Sequence, residues 1–474
     1  MKFKAFATII ALSLFLSSQA LSQPNIILIL TDDQRAGDWQ FMPNLQEKIV
    51  AKGTTLRNFY AVTSLCCPSK STILRGQFAH NTNVRTNSNG PLGGWQAFQP
   101  IEHSTIAVWL SNAGYATGLF GRYLNGFDAA PEGHVPPGWS KFFATYQGDF
   151  YYNYEVNEDG IKTFRGNAEA DYQPTVVANA AATWIDNHLS ANPGQPFFSY
   201  IVPIAPHALT NGDPPVYLSQ HAGLFPAETV PRTQAFNEQD VSDKPSAIQA
   251  LPSLTTQEEA NLDTFHRARL RSLQSVDDMI ADLIQVLYNR NQLQNTYIFL
   301  TSDNGFFLGE HRIPEQKNHA YEPAARVSAY VRGPGVKQNV ILTELTGNVD
   351  LAPTFVDIAN ITQYPYTFDG RSLLKLIWGS MVNPFPRKAM LLENFRIVDP
   401  QYQGQNKLGA FVANSKKFIE NYTGERELYD LVADPDEAQN LAPTTNTDAY
   451  AEYLSILRTC AGLTCKTLDQ TPPP

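Results

Sequence analysis

The sequence predicts an α/β fold: a mostly parallel central sheet flanked by helices, with a smaller antiparallel sheet toward the C-terminus. Three observations carry this expectation. Short, uninterrupted apolar runs recur along most of the chain and alternate with stretches of helical periodicity, the pattern of strands buried on both faces. Several of these runs close in polar clusters, and in open α/β sheets ligands sit beyond the carboxyl ends of the strands. Past the Pro384–Pro386 stretch the texture changes to short strand-like segments between turn residues.

Taken in order, Lys2 and Lys4 precede an apolar run from Ala5 to Leu16, and Ser17, Ser18, Gln19 and Ala20 follow as small or polar residues. This is the three-part pattern of a secretory signal peptide over residues 1–22, too short for the roughly 20 residues of a spanning helix. The chain is expected to be exported, to a secreted, periplasmic or lysosomal location depending on its host, with no membrane partner. Asn25–Leu30 is the first buried strand and ends in Thr31-Asp32-Asp33. Ile106, Val108, Trp109 and Leu110 mark a helix closed by Gly114, and the run Tyr115–Phe120 leads to Arg122. Phe197–Val202 is a third strand, a few residues before His207. Ala208–Leu254 is rich in Pro and polar residues and reads as a long surface excursion near the site mouth. Glu258–Tyr288 carries apolar residues at helical spacing (Leu270, Leu273, Val276, Met279, Ile280, Leu283, Leu287). Tyr297–Leu300 ends in Thr301-Ser302-Asp303-Asn304-Gly305. Ala389–Leu392, Leu408–Val412, Lys417–Glu420 and Glu427–Leu431 form the small sheet. The division expected is 23–380 for the main domain and 381–474 for the sheet subdomain.

The chain has 474 residues, 43% hydrophobic and 17% charged, enough apolar material for a substantial core. Its formal net charge of -10 argues against nucleic acid as a partner, since phosphate neutralisation needs clustered Lys and Arg. Of four cysteines, Cys460 and Cys465 are placed for a local disulfide in an oxidising compartment. Cys66 and Cys67 are adjacent, and vicinal pairing is strained.

Two carboxylates at one strand end, Asp32 and Asp33, repel each other unless a cation lies between them, and a hard cation prefers oxygen ligands. Asp303 and Asn304 offer a second oxygen set at another strand end; the alternative is that each pair caps a turn. The stretch Ser64-Leu65-Cys66-Cys67-Pro68-Ser69-Lys70 enters a helix, which places Cys66 near backbone N–H groups that favour negative charge. A buried structural cysteine pair and a thiolate nucleophile are both compatible with these residues. Zinc is not, for want of a second Cys or His pair at ligand spacing.

Cys66-Cys67-Pro68-Ser69-Lys70 followed by Leu74-Arg75-Gly76 resembles the sulfatase signature, C-x-P-S-R with a following L-T-G. Thr31-Asp32-Asp33-Gln34, Gly121-Arg122-Tyr123-Leu124-Asn125, Ala205-Pro206-His207, Thr301-Ser302-Asp303-Asn304-Gly305 and Glu427-Leu428-Tyr429-Asp430-Leu431 resemble further segments of that family in its order, the second being similar to the glucosamine-6-sulfatase branch. The resemblance implies an alkaline-phosphatase-like fold and hydrolysis of sulfate monoesters, on 6-sulfated glucosamine-type sugars or aryl sulfates. It implies formylglycine made from Cys66 by a formylglycine-generating enzyme, and Ca2+ (with Mg2+ as the alternative ion) held by Asp32, Asp33, Asp303, Asn304 and the modified Cys66. Lys70, Arg122 and Lys317 would surround the sulfate oxygens, and His207 would hydrogen-bond the sulfate or protonate the leaving alcohol.

The chain departs from the pattern in three places. Lys70 stands where the signature has Arg, and Arg122 stands where the family has Lys, so charge is preserved while a planar fork is exchanged for a point donor. Leu124 stands where many members carry a His, which leaves the base of the final step unassigned; His311 and His319 are candidates only by their nearness to Lys317 in sequence. Two competing expectations follow: an inactive sulfatase-like binder of sulfated glycans, and a phosphatase or phosphodiesterase of the same superfamily.

Overall fold

The computed structural model describes residues 23–146, 150–381, 385–395 and 407–474; the signal-peptide expectation and Pro384 lie outside them. Ten strands form the main sheet. In spatial order they are Val340–Leu342, Thr54–Leu56, Ala329–Arg332, Thr296–Ser302, Asn25–Thr31, Phe197–Val202, Ala116–Arg122, Lys141–Tyr146, Tyr154–Glu158 and Ile161–Arg165. The middle five, from Thr296–Ser302 to Lys141–Tyr146, run parallel. The hairpin Tyr154–Arg165 extends one edge antiparallel, and Ala329–Arg332 turns the other edge antiparallel.

The central strands are apolar throughout because both faces are covered. In Asn25–Thr31 every residue is buried. Successive side chains point to opposite faces: Ile26, Leu28 and Leu30 join one core layer, Ile27 and Ile29 the other. The first layer includes Ile73 and Leu74, Trp109 and Leu110, and Leu351 and Phe355, from the helices Cys66–Arg75, Ile106–Asn112 and Leu351–Ile358. The second is filled by Val177, Ala181 and Ile185 of helix Gln173–Ala191 and by Leu273, Val276 and Ile280 of helix Thr256–Asn289. That last helix begins at a capping box between Thr255 and Glu258, which satisfies two otherwise open N-terminal donors.

The C-terminal sheet pairs Ala389–Phe395, Lys407–Ala413, Lys416–Glu420 and Arg426–Asp430 as a consecutive antiparallel meander. Helix Asp448–Leu457 packs on it through Tyr453 and Leu454. Its apolar face shares a core with Tyr60, Val62, Phe78 and Val349 of the main body. Cys460 and Cys465 are disulfide-bonded. The 208–254 stretch is more embedded than a surface excursion: Val230 and Phe236 pack with Leu262, Phe265 and Leu308.

Candidate active site

The polar clusters that close the central strands meet at one edge of the sheet. Asp32 and Asp33 follow Thr31, Asp303 and Asn304 follow Ser302, and these two strands are neighbours in register, Thr31 opposite Ser302. Arg122 ends its strand two places away, and His207 follows Val202 between them. Helix Cys66–Arg75 is driven into this edge, with all ten residues buried and Cys66 in its first turn. It stops at Gly76, whose left-handed backbone (φ 64°) returns an N–H to Thr72 and whose absent Cβ would meet Phe368 at 2.8 Å.

Charges of both signs are then packed together. Lys70 Nζ lies 2.6 Å from Asp32 Oδ2 and 3.1 Å from Asp303 Oδ2. Lys317 Nζ donates to Asp33 Oδ1 at 2.5 Å and to Cys66 Sγ at 3.0 Å. It also lies 3.2 Å from His207 Nε2. Asn304 Nδ2 donates to Asp33 Oδ1 at 2.7 Å, and the Asp33 N–H to Asp303 Oδ1 at 3.1 Å. Asp33 holds a left-handed φ of 70°, a strained choice for a non-glycine residue and one that concentrates at functional sites. Arg122 lies over the Phe150 ring at 4.3 Å, and Phe150 meets the His207 ring edge-on.

These contacts set the protonation states. Against burial, Lys70 and then His207 and Lys317 hold the Asp32 carboxyl well below the usual carboxylate range. Burial, and then the adjacent Asp32 charge, push Asp303 up to about 7 although Lys70 opposes. Burial first, and the Asp32 carboxylate next, drive the Cys66 thiol far above its ordinary range, so it is protonated at neutral pH. Burial lowers His207, with Lys317 adding to the effect and Asp33 opposing. His207 Nδ1 sits 2.6 Å from Ala208 O. The neutral tautomer assigned by this network donates from Nδ1 and leaves Nε2 to accept.

The residues fit a hard divalent cation. Three carboxylates face two ammonium groups. Asn304 Oδ1 is buried without a hydrogen bond, and Asp303 Oδ2 receives none that is well directed even with Lys70 nearby. One ligand atom from each of Asp32, Asp33, Cys66 and His207 lies within 4.8 Å of the others. His207 thus joins a group that sequence reasoning composed from Asp32, Asp33, Cys66, Asp303 and Asn304.

Asp32, Asp33, Cys66, Lys70, His207, Asp303, Asn304 and Lys317 come together, with Arg122 reaching the group through the Phe150 ring, but several contributors carried no local signal. Arg269, fully buried in the long helix, donates to the backbone carbonyls of Asp33 and Pro206 and so ties the carboxylate segment to the His207 segment. Ser69 Oγ donates to Asp303 O at 2.5 Å and accepts from Asn348 Nδ2 at 2.9 Å. His311 is paired with Glu238 at 2.7 Å, and His319 packs against Phe307 and Tyr321. Leu124 is part of the apolar core. None of these three contacts the Cys66 cluster in the structure described.

Comparison with known proteins places the chain. The Sulfatase family profile matches residues 24–361. The chain belongs to the sulfatase family. A second profile, the N-sulphoglucosamine sulphohydrolase C-terminal region, matches residues 309–457 of this sulfatase. N-acetylglucosamine-6-sulfatase of Homo sapiens is 32% identical over 486 residues, covering 94% of this chain and 86% of that protein. An arylsulfatase of Volvox carteri is 31% identical over 511 residues, covering 95% and 76%. An extracellular sulfatase SULF-1 homolog of Drosophila melanogaster is 34% identical over 359 residues, covering 75% of this chain; the chain spans 31% of that protein's length. A solved structure described in complex with its substrate D-glucosamine-2-N,6-O-disulfate aligns with a TM-score of 0.71 at 24% identity, covering 95% and 99% of the two chains. A phosphonate monoester hydrolase of Silicibacter pomeroyi aligns with a TM-score of 0.69 at 21% identity, covering 92% and 94%. These two likenesses speak to the fold, which is the expected one. The family and its relatives make the chain a sulfuric ester hydrolase. Among the described residues no helix is long and apolar enough to cross a membrane.

Proposed function

We propose that this sulfatase hydrolyses sulfate monoesters on sulfated sugars, 6-sulfated glucosamine units among them, through a formylglycine made from Cys66. The carrying observation is the state of Cys66. It sits in the first turn of a buried helix, between Lys317 and the Asp32 carboxylate, with its thiol held protonated. The oxidised side chain is our assignment, from the Cys66-Cys67-Pro68-Ser69-Lys70 segment and from the place of Cys66 between Lys317 and Asp32. A hydrated aldehyde supplies two hydroxyls on one carbon, one to attack sulfur and one through which the sulfate is later released. Maturation requires a formylglycine-generating enzyme as a partner.

Asp32, Asp33, Asp303 and Asn304, with the modified Cys66, would hold the cation, for which Ca2+ is our assignment and Mg2+ the alternative. When bound it supplies charge neutralisation at the sulfate and acidifies the attacking hydroxyl. The chain's own residues do the rest. Lys317 and Lys70 place positive charge against the reacting group, and Arg122 adds a third cation from the adjacent strand end. His207, whose Nε2 lies beside Lys317 Nζ, is placed to donate to the ester oxygen once that nitrogen is protonated. Arg269 holds the Asp33 and His207 segments at fixed separation.

The test is sulfate release from an aryl sulfate and from 6-O-sulfated N-acetylglucosamine, run beside the matching phosphate esters. Turnover of the sulfate esters with phosphate esters disfavoured is the expected result. Turnover of phosphate esters alone would move the chain to the phosphatase reading, and binding without any turnover to that of an inactive glycan binder.

A further inference from the structure

Three cations stand at the catalytic edge, and the structure holds them in two ways. Lys70 and Lys317 direct their donors at Asp32, Asp33 and Cys66. Arg122 does not. Among the described residues its side chain makes no hydrogen bond and no ion pair, and Asp32, Asp128 and Asp303 act on it only as more distant charges. Its close contact is with a ring: the guanidinium carbon lies 4.3 Å from the centre of Phe150. Both residues line a cleft of about 480 Å3, within the range of about 300–1,000 Å3 for small-molecule sites.

Stacking of this kind has a chemical consequence. A guanidinium carries five N–H donors in one plane, and contact with a ring face uses none of them. An acidic partner would fix the same group by occupying two. The ring therefore holds the cation and leaves its donors to the cleft. A lysine ammonium is a point charge that cannot lie flat on a ring, which gives the arginine at position 122 a physical reason.

Phe150 is itself set in an unusual backbone. Its φ is 69°, a left-handed value that is rare for a bulky side chain. The next residue anchors it. Tyr151 is fully buried, its hydroxyl donates to His207 O at 2.8 Å, and its carbonyl accepts from the Gln173 N–H at 2.9 Å. From this position the Phe150 ring also meets the His207 ring edge-on, with centres 5.3 Å apart. Gly121 draws in the other side: with φ 105°, a Cβ there would meet Val202 O at 2.0 Å. The strand end carrying Arg122 thus lies tight against the strand that leads to His207.

We propose that Phe150 is a positioning residue: its ring face holds the Arg122 guanidinium with its donors free for the substrate's anionic group, and its edge keeps His207 beside them. The identity of that group, a sulfate ester, rests on the sulfatase reading.

The experiment compares Phe150→Leu, Phe150→Tyr, Arg122→Lys and the Phe150→Leu/Arg122→Lys double variant, each in Cys66→Ala protein, for binding of N-acetylglucosamine 6-O-sulfate by calorimetry. We expect Phe150→Leu to weaken binding about tenfold, and Phe150→Tyr, which keeps a ring face, to restore most of it. Arg122→Lys should weaken binding by a similar factor yet add little in the Leu background, because an unsupported guanidinium is already misplaced. Thermal midpoints identify the folded variants, and Phe150→Met replaces a Leu variant that does not fold. A Leu variant that binds as tightly as its parent, a Tyr variant that fails to rescue, or two losses that multiply in the double variant overturns the proposal. Binding of the sugar sulfate by none of the proteins also overturns it. Turnover of an aryl sulfate, measured with Cys66 present, separates the two levels. Wild-type turnover with binding indifferent to Phe150 sinks the positioning role alone, whereas Phe150-dependent binding without turnover sinks only the hydrolytic reading.

Discussion

Two regions of the molecule bury charge, and they do so to opposite ends. Between the main body and the C-terminal sheet, Arg387 grips Asp350 with both terminal nitrogens, at 2.5 and 2.7 Å, and reaches Asp469 at 3.2 Å. Close by, Lys417 pairs with Glu322 at 2.7 Å and Glu437 at 2.9 Å, and Glu427 accepts from the Tyr321 and Tyr429 hydroxyls at 2.5 Å each. Arg387 and Lys417 have almost no solvent contact, at 2% and 0% side-chain exposure. The Cys66 cluster has the same ingredients, but Lys317 and His207 keep 16% and 21% exposure, and Asn304 Oδ1 is left without a partner. The first region is closed and serves cohesion. The second is open on one side, at Lys317 and His207. Buried pairs are costly to break because one partner is left uncompensated, whereas functional clusters are commonly maintained at the expense of stability.

The comparison breaks most visibly at Cys66. Cys66→Ala should lower sulfate-ester turnover by at least about a thousandfold, with little change in the thermal midpoint, since a small buried group is removed without stranding a charge. A large loss of stability would show that the thiol belongs to the structural class instead. Arg387→Met should do the reverse. Urea unfolding is expected to register about 3–5 kcal/mol of lost stability from the stranded Asp350, while the folded fraction keeps its KM.

The third prediction concerns pH. Burial pushes Glu427 up to about 7, with the two tyrosine hydroxyls opposing. Its folded pKa therefore lies above its unfolded value. The contribution to stability is complete below about pH 4 and is lost as pH rises toward 7, by an amount on the order of 3 kcal/mol. Glu427→Gln keeps an acceptor for both hydroxyls and should flatten that slope in denaturation midpoints measured from pH 5 to 8. An unchanged slope would assign the pH dependence elsewhere. The smallest expected effect sharpens the contrast: a chelator should lower the thermal midpoint by a few degrees through loss of a bound divalent cation. Arg387→Met protein should show the same decrement, because the two regions are independent. A chelator effect that vanishes in the Arg387 variant would mean that they are coupled.

Much of this was legible in the sequence, for physical reasons. The central strands are buried on both faces, so Asn25–Thr31, Phe197–Val202 and Thr296–Ser302 stand out as apolar runs, and the polar residues closing them mark the site edge. The long helix was visible through its period, to within about two residues of Thr256–Asn289. The edge strands Thr54–Leu56, Ala329–Arg332 and Val340–Leu342 are too short to show a period and exist through their neighbours. Arg269 and Asn348 were illegible because their partners lie more than sixty positions away in the chain, and only the fold brings them together. The 208–254 segment looked peripheral by its Pro and polar content, yet its few apolar residues, Val230 and Phe236, dock onto the long helix.

The central claim is that Cys66 acts as a formylglycine rather than as a thiol. Mass spectrometry of the Cys66-containing peptide, from protein purified out of its own host, tests this directly. The account predicts an aldehyde, or its hydrate, at that position in the folded protein. A fully unmodified thiol in folded protein would contradict it.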